Sequence, residues 1–347
     1  MQCLFHPLRH HAASTILMAT LTAASMSPAF ADLLVGGNGQ QVYRYDDRTG
    51  AFLGILVANG SGGLSDLQGM TVGPDRRLYM TSFNTRQVLR SDGRTTSVFI
   101  PANEREMNII GRSDDVKFGQ DGHAYVADWD NNRIVKFDGK TGTFIGVFAS
   151  GNGLQQPNRI AFGPTGDLYV GNAFTTDVLR FHATTGKPYP AAGQAGAIFV
   201  PGVAGPYNVE LDVSPTGVLA VTQGATEGLR FYDAQTGALL RVPDPTLTNV
   251  SDMRFMADGD LYLTVYARAA VLRYDGVTGA FISEFVAPGS GGLNRAVSMT
   301  FTCSTRPHHG HGDGHGDKHC PGLMPERQDD ADRGPHDDHG GLMRLPF

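Results

Sequence analysis

Residues 43–72, YRYDDRTGAFLGILVANGSGGLSDLQGMTV, align without a gap on residues 272–301, LRYDGVTGAFISEFVAPGSGGLNRAVSMTF, with 16 identities in 30 positions. Self-similarity of that strength means one supersecondary unit copied along the chain. Weaker copies lie between the two. A short apolar strand recurs with anchors at Val35, Met80, Val126, Val170, Val221 and Leu263, spaced by 45, 46, 44, 51 and 42 residues. A basic residue follows each anchor, at Arg44, Arg90, Lys136, Arg180, Arg230 and Arg273, and most copies then carry a Thr-Gly turn, as at Thr49-Gly50 and Thr141-Gly142. The count of copies is six.

Each copy reads as four short strands. In the third, VKFG (116–119), AYVAD (124–128), RIVKF (133–137) and FIGVF (144–148) are separated by Gly/Asp/Asn-rich turns. Alternating apolar positions, β-branched and aromatic residues and such turns are hairpin signals, and no helical period competes. Four-stranded units of about 45 residues are the blades of a propeller. The fold class predicted is therefore all-β, a six-bladed β-propeller. DLLVGG (32–37) matches a second strand with no first strand before it, and SMTFT (298–302) matches the missing first strand. Pairing the two closes the ring and removes its loose edges. A solenoid would carry capping units instead of a split repeat.

The stretch YVADWDNNRIVKFDGKTGTFIG (125–146) resembles the repeat of the NHL propellers, and the resemblance covers residues 32–303. More distantly the chain is similar to the gluconolactonase, strictosidine-synthase and streptogramin-lyase propellers. That implies the architecture and leaves the activity open, because one superfold carries many functions.

The flanks differ from the ring. Arg9, His10 and His11 precede an apolar stretch, Ala12 to Ala24, that is too short to span a bilayer and ends in Ala29-Phe30-Ala31. This is the pattern of a cleaved signal peptide, residues 1–31. The expected location is periplasmic or extracellular, and the expected state is a monomer with no membrane span. A formal charge of −6 without a basic stripe argues against nucleic acid or an anionic membrane as partner. In an oxidising compartment the remaining cysteines, Cys303 and Cys320, are expected to pair.

In a propeller, the loops entering the first strands and leaving the second strands share one face around the channel. Here they supply an oxygen-rich, acidic set with aromatics: Asp114, Asn158, Arg159, Asn208, Glu210, Asp252, Asp128, Trp129 and Asn172. These are the candidate ligand-binding residues, for a protein, carbohydrate or small-molecule ligand. Ca²⁺ takes six to eight oxygen ligands, and Asp114, Asn158, Asn208 and Asp252 are the candidate set. The gluconolactonase likeness implies a metal held by channel-facing Asn and Asp, and Pro157-Asn158 is similar to one such position, whereas the others shift register. The competing assignment has these side chains capping turns, binding channel water and pairing with Arg159 and Arg112. Trp129 either stacks on a sugar ring or packs on the rim. His123 and His182 fall on the opposite face, so the histidine chemistry that the streptogramin-lyase likeness implies has no residue at the mouth. No G-x-S-x-G elbow occurs, and Gly60-Ser61-Gly62-Gly63 and Gly289-Ser290-Gly291-Gly292 read as linkers between blades. The resulting expectation is a binding or scaffolding propeller, with a metal-dependent lactonase or other hydrolase as the alternative.

Residues 304–347 hold seven His, eight Asp/Glu and five Lys/Arg with few apolar side chains, a composition that cannot bury a core. A Cys303–Cys320 bridge would close a loop around His308, His309, His311, His315 and His319, imidazoles that suit Zn²⁺, Cu²⁺ or Ni²⁺. The other arrangement makes both thiolates metal ligands, and a merely solubilising tail is the third. Mass spectrometry of the non-reduced protein should find no free thiol. Zn²⁺ titration should show binding at about pH 7.5 that weakens below about pH 6, where imidazole holds its proton. Two free thiols would exclude the closed loop.

Overall fold

The computed structural model describes residues 32–37, 40–102, 109–203, 209–223 and 228–302. They form six sheets of four antiparallel strands. Blade 1 is Ala296–Phe301, Asp32–Gly37, Gln41–Asp46 and Phe52–Val57, from channel to rim; blade 2 is Leu67–Val72, Leu78–Ser82, Gln87–Ser91 and Thr96–Ile100. Blade 3 is Ser113–Phe118, Ala124–Asp128, Arg133–Phe137 and Phe144–Ser150, and blade 4 is Pro157–Phe162, Leu168–Asn172, Val178–Phe181 and Ile198–Val200. Blade 5 is Val209–Val213, Val218–Gln223, Leu229–Asp233 and Leu239–Asp244, and blade 6 is Val250–Phe255, Leu261–Val265, Ala270–Tyr274 and Phe281–Val286. The innermost strands neighbour one another around the ring, and that of blade 1 returns to that of blade 2.

The repeat seen in the sequence is the register of this architecture. Each anchor on a second strand pairs with a fully buried apolar residue on the first: Met80 with Met70, Val126 with Val116, Val170 with Ile160, Val221 with Leu211, Leu263 with Met253 and Val35 with Met299. Beside four anchors stands a tyrosine that fills the space between blades. Tyr125 meets Phe148 of its own outer strand and Phe162 of the next blade, with ring centroids 4.9 and 5.1 Å apart and edges turned to faces. Tyr79 with Phe99 and Phe118, and Tyr262 with Phe285 and Phe301, repeat the arrangement. Buried hydroxyls need partners, and Asp75, Asp121 and Asp258 accept from Tyr79, Tyr125 and Tyr262.

The Thr-Gly turns follow from local chemistry. Asp138 accepts from the amides of Lys140 and Thr141 and from the Thr141 hydroxyl, which closes an Asx turn. Gly142 then adopts φ +74°, and a Cβ there would lie 2.2 Å from the Phe99 carbonyl of the preceding blade. The repeated basic residue is structural, as expected: Arg44 pairs with Asp32, Arg90 with Asp75, Lys136 with Asp121, and Arg273 with Asp258 and Asp260. Arg180 departs from the pattern. It donates to the carbonyls of Tyr189, Ala234 and Gln235 and lies 4.0 Å from the Tyr189 and Phe199 ring centroids.

Ser61–Gly63 and Ser290–Gly292 are single 3₁₀ turns joining blades, and Tyr45 and Tyr43 donate to the carbonyls of Ser290 and Gly292. No helix among the described residues is long and apolar enough to cross a membrane. The signal-peptide assignment, the Cys303–Cys320 bridge and the histidine tail lie outside the described residues.

Closure uses both ends of the described chain. Leu33 to Gly36 pair with Phe301 to Ser298, and Asp32 and Thr302 hydrogen-bond each other at 2.6 and 2.9 Å. Removing residues from 296 onward should strip Met299 and Phe301 from the core at roughly 1.5–3 kcal/mol each and expose a ladder edge. The truncated chain should melt well below the intact ring, and an unchanged melting temperature would refute closure by this strand.

Candidate functional site

A strand at the channel wall has one edge in its blade's ladder and another with no neighbouring strand. Its N–H groups on that edge still need acceptors. Side chains of the preceding blade supply them. Asp115 of blade 3 accepts from Ile160 of blade 4, and Asp212 of blade 5 accepts from Phe255 of blade 6, at 3.2 and 2.8 Å. Asp252 of blade 6 accepts from Met299 of blade 1, and Ser298 of blade 1 accepts from Met70 of blade 2, at 2.9 and 3.2 Å. At the same register in blade 2 there is a glycine, Gly69, whose Cβ would meet the Asp115 backbone at 2.7 Å. The innermost strands are thus stapled by polar side chains instead of backbone.

Buried carboxylates require counter-charge. Asp115 and Asp252 each take a cation two residues on, on the same strand face. Lys117 Nζ lies 2.5 and 2.7 Å from the two Asp115 oxygens, and Arg254 Nη1 lies 2.8 Å from Asp252 Oδ1. Between these two blades sits Arg159, which is 3% exposed. Its guanidinium meets Asp114 of blade 3 at 3.0 Å, Glu210 of blade 5 at 2.6 Å and the Ser251 carbonyl of blade 6 at 2.5 Å. One side chain from blade 4 therefore reaches three other blades. It is a plug across the mouth of the channel.

Carboxylates exceed cations in this cluster by two, and the proton affinities follow. Burial pushes Glu210 up to about 8 against the pull of Arg159. Burial likewise raises Asp114 and Asp212 to about 6, opposed by Arg159 and Arg254 respectively. Burial also opposes ionisation of Asp252, but Arg254, Arg159 and Lys117 outweigh it and hold that carboxylate below its usual value. Burial, with Arg254 nearby, lowers Lys117.

The candidate residues divide accordingly. Asp114, Arg159 and Glu210 converge, and Asn158 donates to Glu210 at 3.4 Å while its own Oδ1 is buried without a partner. Asp252 is an interblade staple, and Asn208 lies outside the described residues. Of the residues offered for Ca²⁺, Asp114 and Asp252 are each turned to a cation of the chain itself. No group of three or more His, Cys, Asp or Glu among the described residues is placed to hold a metal ion. The hard-cation expectation used residues that differ in register by one or two positions between blades. The aligned set is Asp115, Arg159, Glu210 and Asp252, which contains a cation of its own.

Asp128 and Asn172 close loops instead of facing a ligand. Asp128 accepts from the Gly111 amide, Asn131 and Arg133, and Asn172 accepts from the Gln155 amide and donates to the Gly153 carbonyl. Ser82 does the same in blade 2, accepting from the Ser65 amide. Asp115, Lys117, Asp212 and Arg254 were missed. The available signal was Asp-x-basic at matching positions of the third and sixth copies, Asp115-Val116-Lys117 and Asp252-Met253-Arg254.

Trp129 stands on the rim of this face. Its ring meets Phe83 edge-on at 5.7 Å and Phe174 at 6.4 Å, and Arg112 lies over it at 4.7 Å. Arg112 pairs with Asp130, not with the channel carboxylates.

Against known proteins, no family model and no curated protein matches the chain. Among solved structures, a chain of the crystal structure of a nidogen/laminin complex superposes with a TM-score of 0.63 at 15% identity, over 79% of this chain and 99% of that one. Altogether 1079 solved chains match, which places the protein in a widely used fold and selects no activity. The class defined is a six-bladed β-propeller.

Glu210 provides a test of the cluster. Its folded-state proton affinity lies above the ordinary value of 4.5, so folding takes up a proton between about pH 4.5 and 8 and stability falls as pH rises through that window. Asp114 and Asp212 act in the same sense and Asp252 in the opposite one. Glu210→Gln should flatten the decline in melting temperature between about pH 5 and 8. An identical slope in the variant would show that Glu210 does not carry the proton.

Proposed function

We propose that the chain is an exported binding or scaffolding propeller of the NHL type. Its ligand, a protein, carbohydrate or small molecule, docks on the channel-entry face, and the histidine-rich tail is an accessory site for transition metals. The supporting observation is the engagement of the channel chemistry. Arg159 meets Asp114 and Glu210, and Arg254 meets Asp252, so these carboxyl groups at the mouth are engaged by guanidinium groups. Among the described residues that engagement favours a binding role over metal-dependent hydrolysis. What the face leaves outward is the aromatic rim and its arginines. The likeness to a chain solved in a nidogen/laminin complex supports the reading to the extent that this architecture occurs in protein–protein assemblies. Export rests on the 1–31 pattern alone, and the NHL assignment on residues 125–146.

The competing enzyme is testable directly. Incubation of the purified chain with a panel of five- and six-membered lactones in the presence of Ca²⁺, Mn²⁺ or Zn²⁺ should give no hydrolysis above buffer. Metal-dependent hydrolysis that disappears in Asp252→Asn would overturn the binding reading in favour of the lactonase.

A further inference from the structure

The geometry points to a particular docking site on that face: the arc made by Phe83, Trp129 and Phe174, with a polypeptide as its occupant. The inference rests on the binding reading above and narrows it to one patch and one ligand chemistry.

Three successive blades each raise an aromatic on the loop between second and third strands. Phe83 and Trp129 follow directly on the strands that end at Ser82 and Asp128, and Phe174 lies two residues after Asn172. The loops are fixed from below. The amides of Phe83 and Trp129 donate to the carbonyls of Asp66 and Arg112 in the adjoining entry loops, and Ala173 donates to Gln156 in the same way. The rings contact in series at 5.7 and 6.4 Å, and Phe174 is 52% exposed. The Arg112 guanidinium lies over both Phe83 and Trp129, 5.0 and 4.7 Å from their centroids, and is forked onto Asp130 at 2.7–2.8 Å. Little side-chain freedom remains to be lost on binding, which favours affinity.

The arrangement distinguishes between ligand classes. The ring planes are inclined at 70° and 66°, so no two neighbouring rings offer parallel faces to consecutive sugars. Tryptophan, arginine and phenylalanine massed at one point are instead the composition of protein-interface anchors. Charge sets the second requirement. Arg86 and Arg112 stand against one carboxylate, Asp130, and Arg86 is 60% exposed with its Nε 3.9 Å from it. Two guanidinium groups thus share one carboxylate at the edge of the arc, and the more exposed of them, Arg86, holds it at the longer distance. The complementary ligand is a peptide segment with an aliphatic or aromatic anchor to pack on the Trp129 and Phe174 rings, and an Asp or Glu nearby for Arg86.

Selection of a phage-displayed library of random peptides, about twelve residues long, against the full chain tests this. Enriched sequences should share an apolar anchor next to an acidic residue. The synthetic consensus peptide should lose affinity by about 30-fold or more in Trp129→Ala, as for a central anchor, and by about tenfold in Arg86→Glu, with a marked salt dependence. Phe174→Ser, which alters an exposed ring, should weaken binding while leaving the melting temperature unchanged, so a folding defect in Trp129→Ala cannot mimic the result. Peptides indifferent to Trp129 and Phe174 but lost in Tyr266→Ala, a change at the exposed aromatic on the equivalent loop of blade 6, would overturn the arc and leave the binding face standing. Trp129-dependent retention of arrayed oligosaccharides without peptide enrichment would replace the peptide by a carbohydrate. Absence of both peptide and glycan binding would overturn this inference.

Discussion

Everything in this ring depends on how the innermost strands satisfy the edge that has no neighbour. In an ordinary sheet an edge strand turns its free N–H groups to water. Here six such edges surround one axis, and at four of the junctions a side chain supplies the acceptor. The chain meets the demand with Asp115, Asp212, Asp252 and Ser298, each aimed at a backbone amide of the following blade. Once those carboxylates are buried, Lys117, Arg159 and Arg254 become necessary, and an acidic, oxygen-rich channel becomes an internal ion network. Asp252, which resembles a metal ligand in sequence, serves there as an interblade staple. Replacing such a network with apolar groups can leave stability unchanged, whereas removing one member strands a charge, so its members are expected to be interdependent.

The fold was legible because it is written six times. Anchor spacing, Asx turns and the split unit at Asp32 and Ser298 each report the same ring. The site was less legible, for a geometric reason. Most innermost strands carry an irregularity near the mouth, as between Ser113 and Val116 or Val250 and Asp252, and one extra residue turns every side chain above it to the other face. The sequence therefore sets Asp114 and Asn158 beside Asp252, although the positions equivalent to Asp252 in the ladder are Asp115 and Arg159. Asp128 and Asn172 misled differently: their oxygen atoms point into loops, and only coordinates distinguish a loop brace from a ligand contact. The aromatic arc was half visible. Trp129 stood out as the sole tryptophan, but its neighbours Phe83 and Phe174 lie 46 and 45 residues away in sequence and meet it only when consecutive blades are set side by side.

A division of labour between the two halves of each blade follows. The inner strands, with their staples and the Tyr–Phe clusters, carry the rigidity. The outer strands expose apolar side chains such as Leu53, Ile145 and Leu239 and contribute less to the core. Loops anchored on the inner half, including those that raise Phe83 and Trp129, inherit its stiffness.

The bond pair between Asp32 and Thr302 also has a mechanical meaning. The second strand of blade 1 begins where its first strand ends, so anything joined ahead of Asp32 and anything joined after Thr302 depart from one spot. Tension between two such attachments would load the Asp32–Thr302 pair first, then Leu33–Phe301, then Leu34–Thr300, each in turn. Bonds loaded singly peel at low force, whereas bonds loaded in parallel resist together. The ring is therefore stable as a closed object yet weak to pulling at its seam, so any pair of attachments that must bear load should sit elsewhere on the molecule.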